Sequence, residues 1–377
     1  MRRGAFISTP QAGWVKYGEG HPFSPKRALD VYELCDRYGL LDPDHVLILG
    51  PQEVKEEDLL LAVTPQYLDA LKRADSGEVI PDAARWGLGT PDCPIFEGLF
   101  RYSAMAVGAG LTALEELLKG EVQCAFNPSG GFHHAYPDRA EGFCYINDVV
   151  VLLRKLQKAG RRPVFIDIDA HNPNGVSAVF WEDPSVLVIS FHESPKTLYP
   201  FKGEVTEMGD GPGKGTTINV PLESGTDDEV FESLFEDIVP PALRIFKPDF
   251  IIFEIGMDTL KGDPLAHLSL STNAAVRATE ILLNEGLPVL ALGGGGYNVE
   301  KTVRGWTRVW ATLIGKTPQD IFAGSVGGMM FGPETTAGNL DEPPSVGSPH
   351  TRARTVKQAQ RLKKFIHSEL FAALKKA

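Results

Sequence analysis

Residues 163–175, PVFIDIDAHNPNG, constrain the fold more than any other part of this 377-residue chain. The stretch opens as an apolar, β-branched and aromatic run, the composition of a parallel strand buried on both faces. It then carries Asp167, Asp169 and His171 at alternate positions. Side chains two apart on a strand share a face, so Asp167 and Asp169 point the same way. His171 continues on that side as the chain leaves the sheet. Two carboxylates buried there are costly unless a cation or hydrogen-bond donors meet them. They could cap a neighbouring helix or pair with a buried arginine. The added histidine makes metal binding the stronger reading.

Around this stretch, short apolar runs alternate with segments of helical periodicity. Strands are expected at 5–9, 46–49, 124–126, 164–169, 186–191, 249–256 and 289–292, and after the glycine-rich turn GDGPGKG. That turn does not run from strand to helix, as a phosphate loop would. Leu99, Tyr102, Ala106, Ala109, Ala113, Leu114 and Leu117 recur at helical spacing, and Gly120 stops that helix. Asn147 caps the next, with Val149, Leu152, Leu153 and Leu156 on its buried stripe. Thr226 and Glu229 form a capping box for a helix that Pro240 and Pro241 must kink or end. A helix over 271–285 stops at Gly286. Residues 323–351, rich in Gly and Pro, read as irregular surface. Residues 355–374 form a basic amphipathic helix that packs on the domain with its lysines solvated.

This alternation predicts a mostly parallel sheet with helices on both faces. In such sheets ligands sit beyond the carboxyl ends of the strands. Four segments deliver polar groups or bare backbone to that edge: GGFHHA, DIDAH, Met257-Asp258 and GGGGY. Asp169, His171 and Asp258 make a three-ligand set suited to zinc or ferrous iron, with a position left for water and substrate. Two anionic ligands leave the water less acidified than three histidines would, so a separate base helps. His133 and His134 are placed for that role, and Asp167 can orient one of them. A histidine pair alone would be a coincidence of core or surface; beside a metal it is a base. Tyr297 leaves a run of four glycines and can donate to a developing oxyanion; otherwise it is an ordinary core or rim tyrosine. These parts describe metal-assisted hydrolysis of a carbonyl compound.

Composition narrows the class. The net charge of −12 argues against a nucleic-acid binder, and no stretch is long and apolar enough to span a membrane. The four cysteines form no C-x-x-C pair, so neither a disulfide framework nor a thiolate zinc site is expected. The start, MRRGAFISTP, lacks the apolar run of a signal peptide. A soluble intracellular protein is expected, and nothing in the pattern fixes an oligomeric state.

The motifs GLGTPDCPIFEGLF, NPSGGFHHA, GFCYIND, DIDAH, GMDTLKGDPL and LGGGGY resemble, in order and spacing, the zinc-dependent histone deacetylase family, above all its bacterial and acetoin-utilisation members. The resemblance implies the single-domain arginase/deacetylase α/β fold, with a central eight-stranded parallel sheet and helices on both faces. Residues 1–322 would be catalytic, and 323–377 would add the irregular segment and basic helix to the same domain. It implies removal of acetyl groups from lysine side chains of proteins. The alternatives are an acetylpolyamine or other small acyl-amine amidohydrolase, or a weakly active relative that binds metal and acyl-lysine.

Zinc, or ferrous iron, would sit on Asp169, His171 and Asp258. His133 and His134 would be the tandem base and acid, and Tyr297 would bind the acetyl oxygen. Phe143 and Tyr199 would wall the acyl-lysine tunnel, with Leu265 at its rim, Gly142 and Gly295 beside the substrate, and Asp92 holding its backbone. Arg27, bland and solvated on pattern alone, would stand beside an internal acetate channel. Potassium would lie near Asp167, Asp169, His171, Ser190 and Phe191. A bacterial-type cytoplasmic location is implied.

The chain departs from this family after His171. The family reads His-Gly-Asp-Gly or His-Gly-Asn-Gly; this chain reads Asn172-Pro173-Asn174-Gly175. Proline fixes φ and removes a donor, which leaves the loop open to displacement and activity open to weakening. Asn174 can still accept a hydrogen bond from His134 but supplies no charge, so His134 should be less basic than beside an aspartate. Phe132 replaces a larger aromatic.

Overall fold

The computed structural model describes residues 3–318 and 340–377. Eight strands form one sheet: β1 Gly4–Ile7, β2 Val46–Leu49, β3 Cys124–Asn127, β4 Pro163–Asp167, β5 Leu187–Glu193, β6 Thr217–Leu222, β7 Phe250–Glu254 and β8 Val289–Leu292. Their order is β2-β1-β3-β8-β7-β4-β5-β6, and every pairing is parallel. The helices are α1 Arg27–Arg37, α2 Glu56–Leu59, α3 Pro65–Asp75, α4 Leu99–Lys119, α5 Asp148–Lys158, α6 Asn174–Val179, α7 Asp228–Phe246, α8 Thr272–Asn284, α9 Val299–Leu313 and α10 Pro349–Phe365. Each expected strand is present, within two or three residues of its expected ends.

The apolar runs follow from burial on both faces. Val164 and Ile166 of β4 enter one core with Phe253, Val289, Trp306 and Trp310, beneath α7, α8 and α9. Phe165, between them, enters the other with Ile252, Leu290 and Leu152, beneath α3, α4 and α5. A strand covered on both sides has no polar face to show. Asn147 caps α5 as expected, accepting from the Val150 amide.

Two local expectations give way to packing. α7 is capped by Asp227, whose side chain accepts from the Val230 amide, while the Thr226 hydroxyl donates to the Glu223 carbonyl. The carboxylate one residue further on is a better cap than the threonine. Pro240 and Pro241 lie inside α7 without ending it. Phe235, Ile238, Val239, Ala242, Leu243 and Phe246 are all buried there, and that burial outweighs the intrinsic cost of proline.

Of the stretch expected to be irregular, residues 323–339 lie outside the described residues, 340–348 are without regular structure, and α10 has already begun at Pro349. α10 continues through a π-helical turn, Ile366–Leu370, and a last turn, Phe371–Leu374. Ala359, Leu362, Ile366, Leu370, Phe371 and Leu374 join the core beneath α7. Among the described residues no helix is long and apolar enough to cross a membrane.

The C-terminal helix is therefore part of the core. Leu370, with 0% of its surface exposed, should cost about 2–5 kcal/mol when cut to alanine, as buried leucines do. Exposed Lys364→Ala should stay within about 0.5 kcal/mol. Urea denaturation of the two variants checks this, and equal midpoints would contradict it.

Candidate active site

Four adjacent central strands, β3-β8-β7-β4, carry the four polar segments at their carboxyl ends. β3 leads to His133 and His134, β8 to Gly293–Tyr297, β7 to Asp258, and β4 to Asp169 and His171. β4 ends at Asp167, so Asp169 belongs to the turn beyond it rather than to the strand.

Asp169, His171 and Asp258 converge as buried groups. His171 Nδ1 is 3.0 Å from Asp169 Oδ1 and 2.9 Å from Asp258 Oδ2. These three residues offer ligand atoms within 4.8 Å of one another. The glycines around them are required by space. A side chain at Gly295 would meet Asp258 Oδ2 at 2.2 Å, and one at Gly256 would meet Asp169 Oδ2 at 2.2 Å. The Gly295 amide itself donates to Asp169 Oδ2 (2.7 Å). Burial and the neighbouring Asp169 push the Asp258 carboxyl up to about 7. Burial opposes charge on Asp169 too, but its bond to His171 and the charge of His133 hold it below the usual carboxylate range. Burial opposes charge on His171, yet the two carboxylates raise it to about 10. This two-carboxylate, one-imidazole set, crowded and charge-unbalanced on its own, is the donor chemistry of a zinc or ferrous site.

The histidine pair stands beside it. His133 Nδ1 faces Asp167 Oδ2 at 3.0 Å and Glu254 Oε1 at 2.9 Å. Burial disfavours charge on His133, but Glu254 and Asp167 outweigh it and hold its pKa well above 6.5. His133 is then an imidazolium, with N–H groups on both nitrogens. Its Nε2 lies 3.1 Å from His134 Nε2. Burial first, then the charges of His133 and His171, push His134 well below 6.5, so it is neutral. Its Nδ1–H donates to Asn174 Oδ1 (2.7 Å), which leaves Nε2 as the unprotonated nitrogen. Asn147 Nδ2 ties the main chain here by donating to the His133 and Ala135 carbonyls.

Asn172 and Pro173 join His171 directly to α6. Pro173 sits at φ −75° as the residue before α6, the angle its ring prefers, and its carbonyl accepts from Ser177 (2.9 Å). α6 thereby starts at Asn174 and brings it to His134. Asn172 is buried and donates to Asn219 Oδ1 (2.9 Å).

Tyr297 is half-buried, and its amide donates to Asp263 Oδ2 (2.7 Å). Removal from water and the Asp258 and Asp169 carboxylates push its phenol well above 10, so it remains a donor. Arg27 is buried rather than solvated. It donates to the Gly296 carbonyl (2.5 Å) and the Gly294 carbonyl (3.0 Å), with its guanidinium over the Phe23 and Trp306 rings. A cavity lined by Phe143, His133, His134, Asp169 and Tyr297 also reaches Arg27 and Tyr102.

Phe143 and Tyr199 flank this group, at ring-centroid distances of 5.7 Å from Tyr297 and 5.3 Å from His134. Gly142 takes φ 54°, and a side chain there would meet the His134 ring at 2.4 Å. Leu265 is half-buried, its amide held by Asp263 (2.9 Å). Asp92 is exposed, and its carbonyl lies 3.3 Å from His21 Nε2. Ser190 pairs in register with Asp167, but its hydroxyl lies 2.8 Å from His192 Nδ1. Phe191 turns its ring into the core against Phe235 at 5.1 Å, so only its main chain is left to meet an ion.

Two acidic residues escaped the sequence reading. Glu254 closes β7 in register with Asp167, and its Oε1 faces His133 Nδ1 at 2.9 Å. A single charge in the run FIIFEIG was the available signal. Glu141, in the turn before Phe143, accepts from Asn174 and Tyr199.

A model described as the histone deacetylase domain matches residues 21–313. The chain is 35% identical over 326 residues to acetoin utilization protein AcuC of Bacillus subtilis (strain 168), covering 84% of each protein. It is 35% identical over 295 residues to histone deacetylase 8 of Xenopus tropicalis, covering 78% of this chain and 79% of that one. Histone deacetylase 3 of rice, Oryza sativa subsp. japonica, is 33% identical over 337 residues, or 88% of this chain; the chain spans 66% of the rice protein's length. The crystal structure of an HDAC homologue from Aquifex aeolicus matches with a TM-score of 0.85 at 31% identity, covering 96% of this chain and 100% of that one. An HDAC homologue complexed with SAHA matches with the same figures.

Glu254 gives this site a pH signature. Burial, with the neighbouring Asp167, raises Glu254 well above its ordinary 4.5 against the pull of the facing His133. A carboxyl raised in the folded state contributes stability below its unfolded pKa of about 4.3 and loses it as pH climbs through the folded value. Glu254→Gln keeps the neutral form at every pH. The metal-free variant should therefore gain on the parent between pH 5 and pH 9 in urea melts. A difference that stays flat with pH would contradict the assignment.

Proposed function

Because the chain belongs to the histone deacetylase family, we propose that it hydrolyses the amide bond of acetylated lysine side chains. The observation that carries this reading is the cluster of Asp169, His171 and Asp258, with Asp169 lining one cavity together with a neutral His134 and a protonated Tyr297. A zinc ion on the three ligands, with ferrous iron also suited to them, would polarise the acyl carbonyl and bring a water to it.

The chain's own groups complete the reaction. His134 accepts the attacking water's proton at Nε2 and passes it to the leaving amine. His133, fixed by Asp167, holds that ring in place and carries positive charge beside the developing oxyanion. Tyr297 donates its hydroxyl to that oxyanion, and burial keeps the donor protonated throughout. In this reading Phe143 and Tyr199 enclose the aliphatic stem, Leu265, Gly142 and Gly295 line its path, and Asp92 at the exposed rim takes the substrate's backbone amides. Arg27 serves the exit of acetate from the cavity it lines. A potassium ion near Asp167, Asp169, His171, Ser190 and the Phe191 main chain belongs to the same proposal. So does the division into a catalytic part, 1–322, and an appended segment, 323–377. Four buried free thiols suit a reducing cytoplasm.

The substrate would be an acetylated protein or a small acyl amine. The contact between Asn174 and His134 beyond Pro173 favours a working enzyme over a binding relative.

Turnover of an acetyl-lysine peptide by the zinc-loaded protein tests the reading. Tyr297→Phe should lower kcat by about 100- to 1,000-fold, as loss of one oxyanion donor does, with bound zinc unchanged. Asp258→Asn should lose the zinc itself. No turnover by zinc-loaded parent protein, or full turnover by the tyrosine variant, would sink the mechanism.

A further inference from the structure

His134 acts as a base, in the function proposed above, only when its proton sits on Nδ1 and its Nε2 is open. What fixes that tautomer is the group facing Nδ1. Here it is an amide, Asn174, whose two ends differ: Oδ1 accepts and Nδ2 donates. An aspartate could only accept and would enforce the Nδ1–H form by itself. An asparagine satisfies either tautomer by turning over, so a second contact must decide which end faces the histidine.

Glu141 makes that contact. Asn174 Nδ2 donates to Glu141 Oε1 at 2.7 Å, while Asn174 Oδ1 takes the His134 proton at 2.7 Å. Turning the amide over would set its oxygen 2.7 Å from a carboxylate oxygen, acceptor against acceptor. His134, Asn174 and Glu141 thus form one directional row of donors: His134 Nδ1–H to Asn174, Asn174 Nδ2–H to Glu141. The row ends on a carboxylate, which cannot donate back.

Glu141 is itself held firmly. Its amide and carbonyl exchange hydrogen bonds of 3.0 Å with those of Cys144. Between them Gly142 and Phe143 both take positive φ, 54° and 68°, as the central residues of a tight hairpin turn do. Its Oε2 accepts from Arg139 Nε (3.2 Å), and its Oε1 also accepts from the Tyr199 hydroxyl (2.9 Å). One carboxylate therefore ties both flanking aromatics, Phe143 through the turn and Tyr199 through its hydroxyl, to the amide that faces the base.

We propose that Glu141 is a positioning residue, which locks the Asn174 amide and through it the Nδ1–H tautomer of His134. The test uses the full-length, zinc-loaded protein and an acetyl-lysine peptide. Glu141→Ala should lower kcat about 10- to 100-fold, within the range a general base contributes. Glu141→Gln, whose side-chain oxygen still accepts from Asn174, should restore most of it. In an Asn174→Asp background, where the acceptor no longer needs locking, Glu141→Ala should cause no further loss. Equal loss in both backgrounds, or a glutamine variant as poor as the alanine one, would overturn the proposal.

A second readout does not depend on turnover. The ¹⁵N shifts of the His134 ring should show one Nδ1–H tautomer in the parent and a mixture in Glu141→Ala. An unchanged tautomer would also overturn the proposal. An inactive parent with the expected tautomer shift would reject the deacetylase reading and keep the role of Glu141.

Discussion

The structure depends on how four buried carboxylates share one strand edge. Asp167 and Glu254 close β4 and β7 directly opposite one another, and Asp169 and Asp258 follow within a few residues. Left alone, such a group would repel itself and pull water into the sheet. Three devices resolve it. His133 lies between Asp167 and Glu254 as a cation. Glu254, raised by burial well above the usual carboxylate range, holds its proton to higher pH than a free carboxylate does. Asp169 and Asp258 turn towards His171 and form a donor set whose excess negative charge suits a dication. The positive charge on His133, in turn, keeps its neighbour His134 neutral and available as a base.

This arrangement also explains the glycines. The loops after β7 and β8 pass so close to Asp169 and Asp258 that a Cβ at Gly256 or Gly295 would lie 2.2 Å from a ligand oxygen. The backbone approaches because its amides are needed: Gly295 donates to Asp169. Arg27 then anchors the far side of the glycine run through the Gly294 and Gly296 carbonyls. A flexible segment is thereby held still at the point where Tyr297 must be aimed.

The legible parts of the sequence were those set by local pattern. Strands covered on both faces announce themselves by composition, so β1 and β3 to β8 were found; β2, with Ile48 exposed, was found from its apolar run alone. Asp169, His171 and Asp258 could be singled out together because Asp169 and His171 are neighbours in the chain and Asp258 ends a strand. What was missed depends on partners distant in sequence. Glu254 matters because β7 lies against β4 in a register that no short-range pattern encodes. Arg27 reads as a surface residue until α1 is seen to cover the glycine loop. The cap of α7 moved by one residue because Asp227 was available, and the prolines within α7 were tolerated because its buried face outweighs them.

The Asn172-Pro173 departure shows both sides of this. Read locally, a proline beside a metal ligand is disruptive. In the fold it falls immediately before α6, where its fixed φ and missing amide carry no penalty. A side chain at Gly175 would meet the Ala135 carbonyl at 2.4 Å, so α6 must pack directly on the backbone that carries His133 and His134. The helix start and the histidine pair are therefore set by the same contact. In this chain tertiary packing, not the flexibility of the loop, fixes where Asn174 lies. The chemical change that remains is the exchange of a charged acceptor for an amide. Its cost is orientational as well as electrostatic, because an amide must be told which end to present. That information comes from the turn that also carries Phe143.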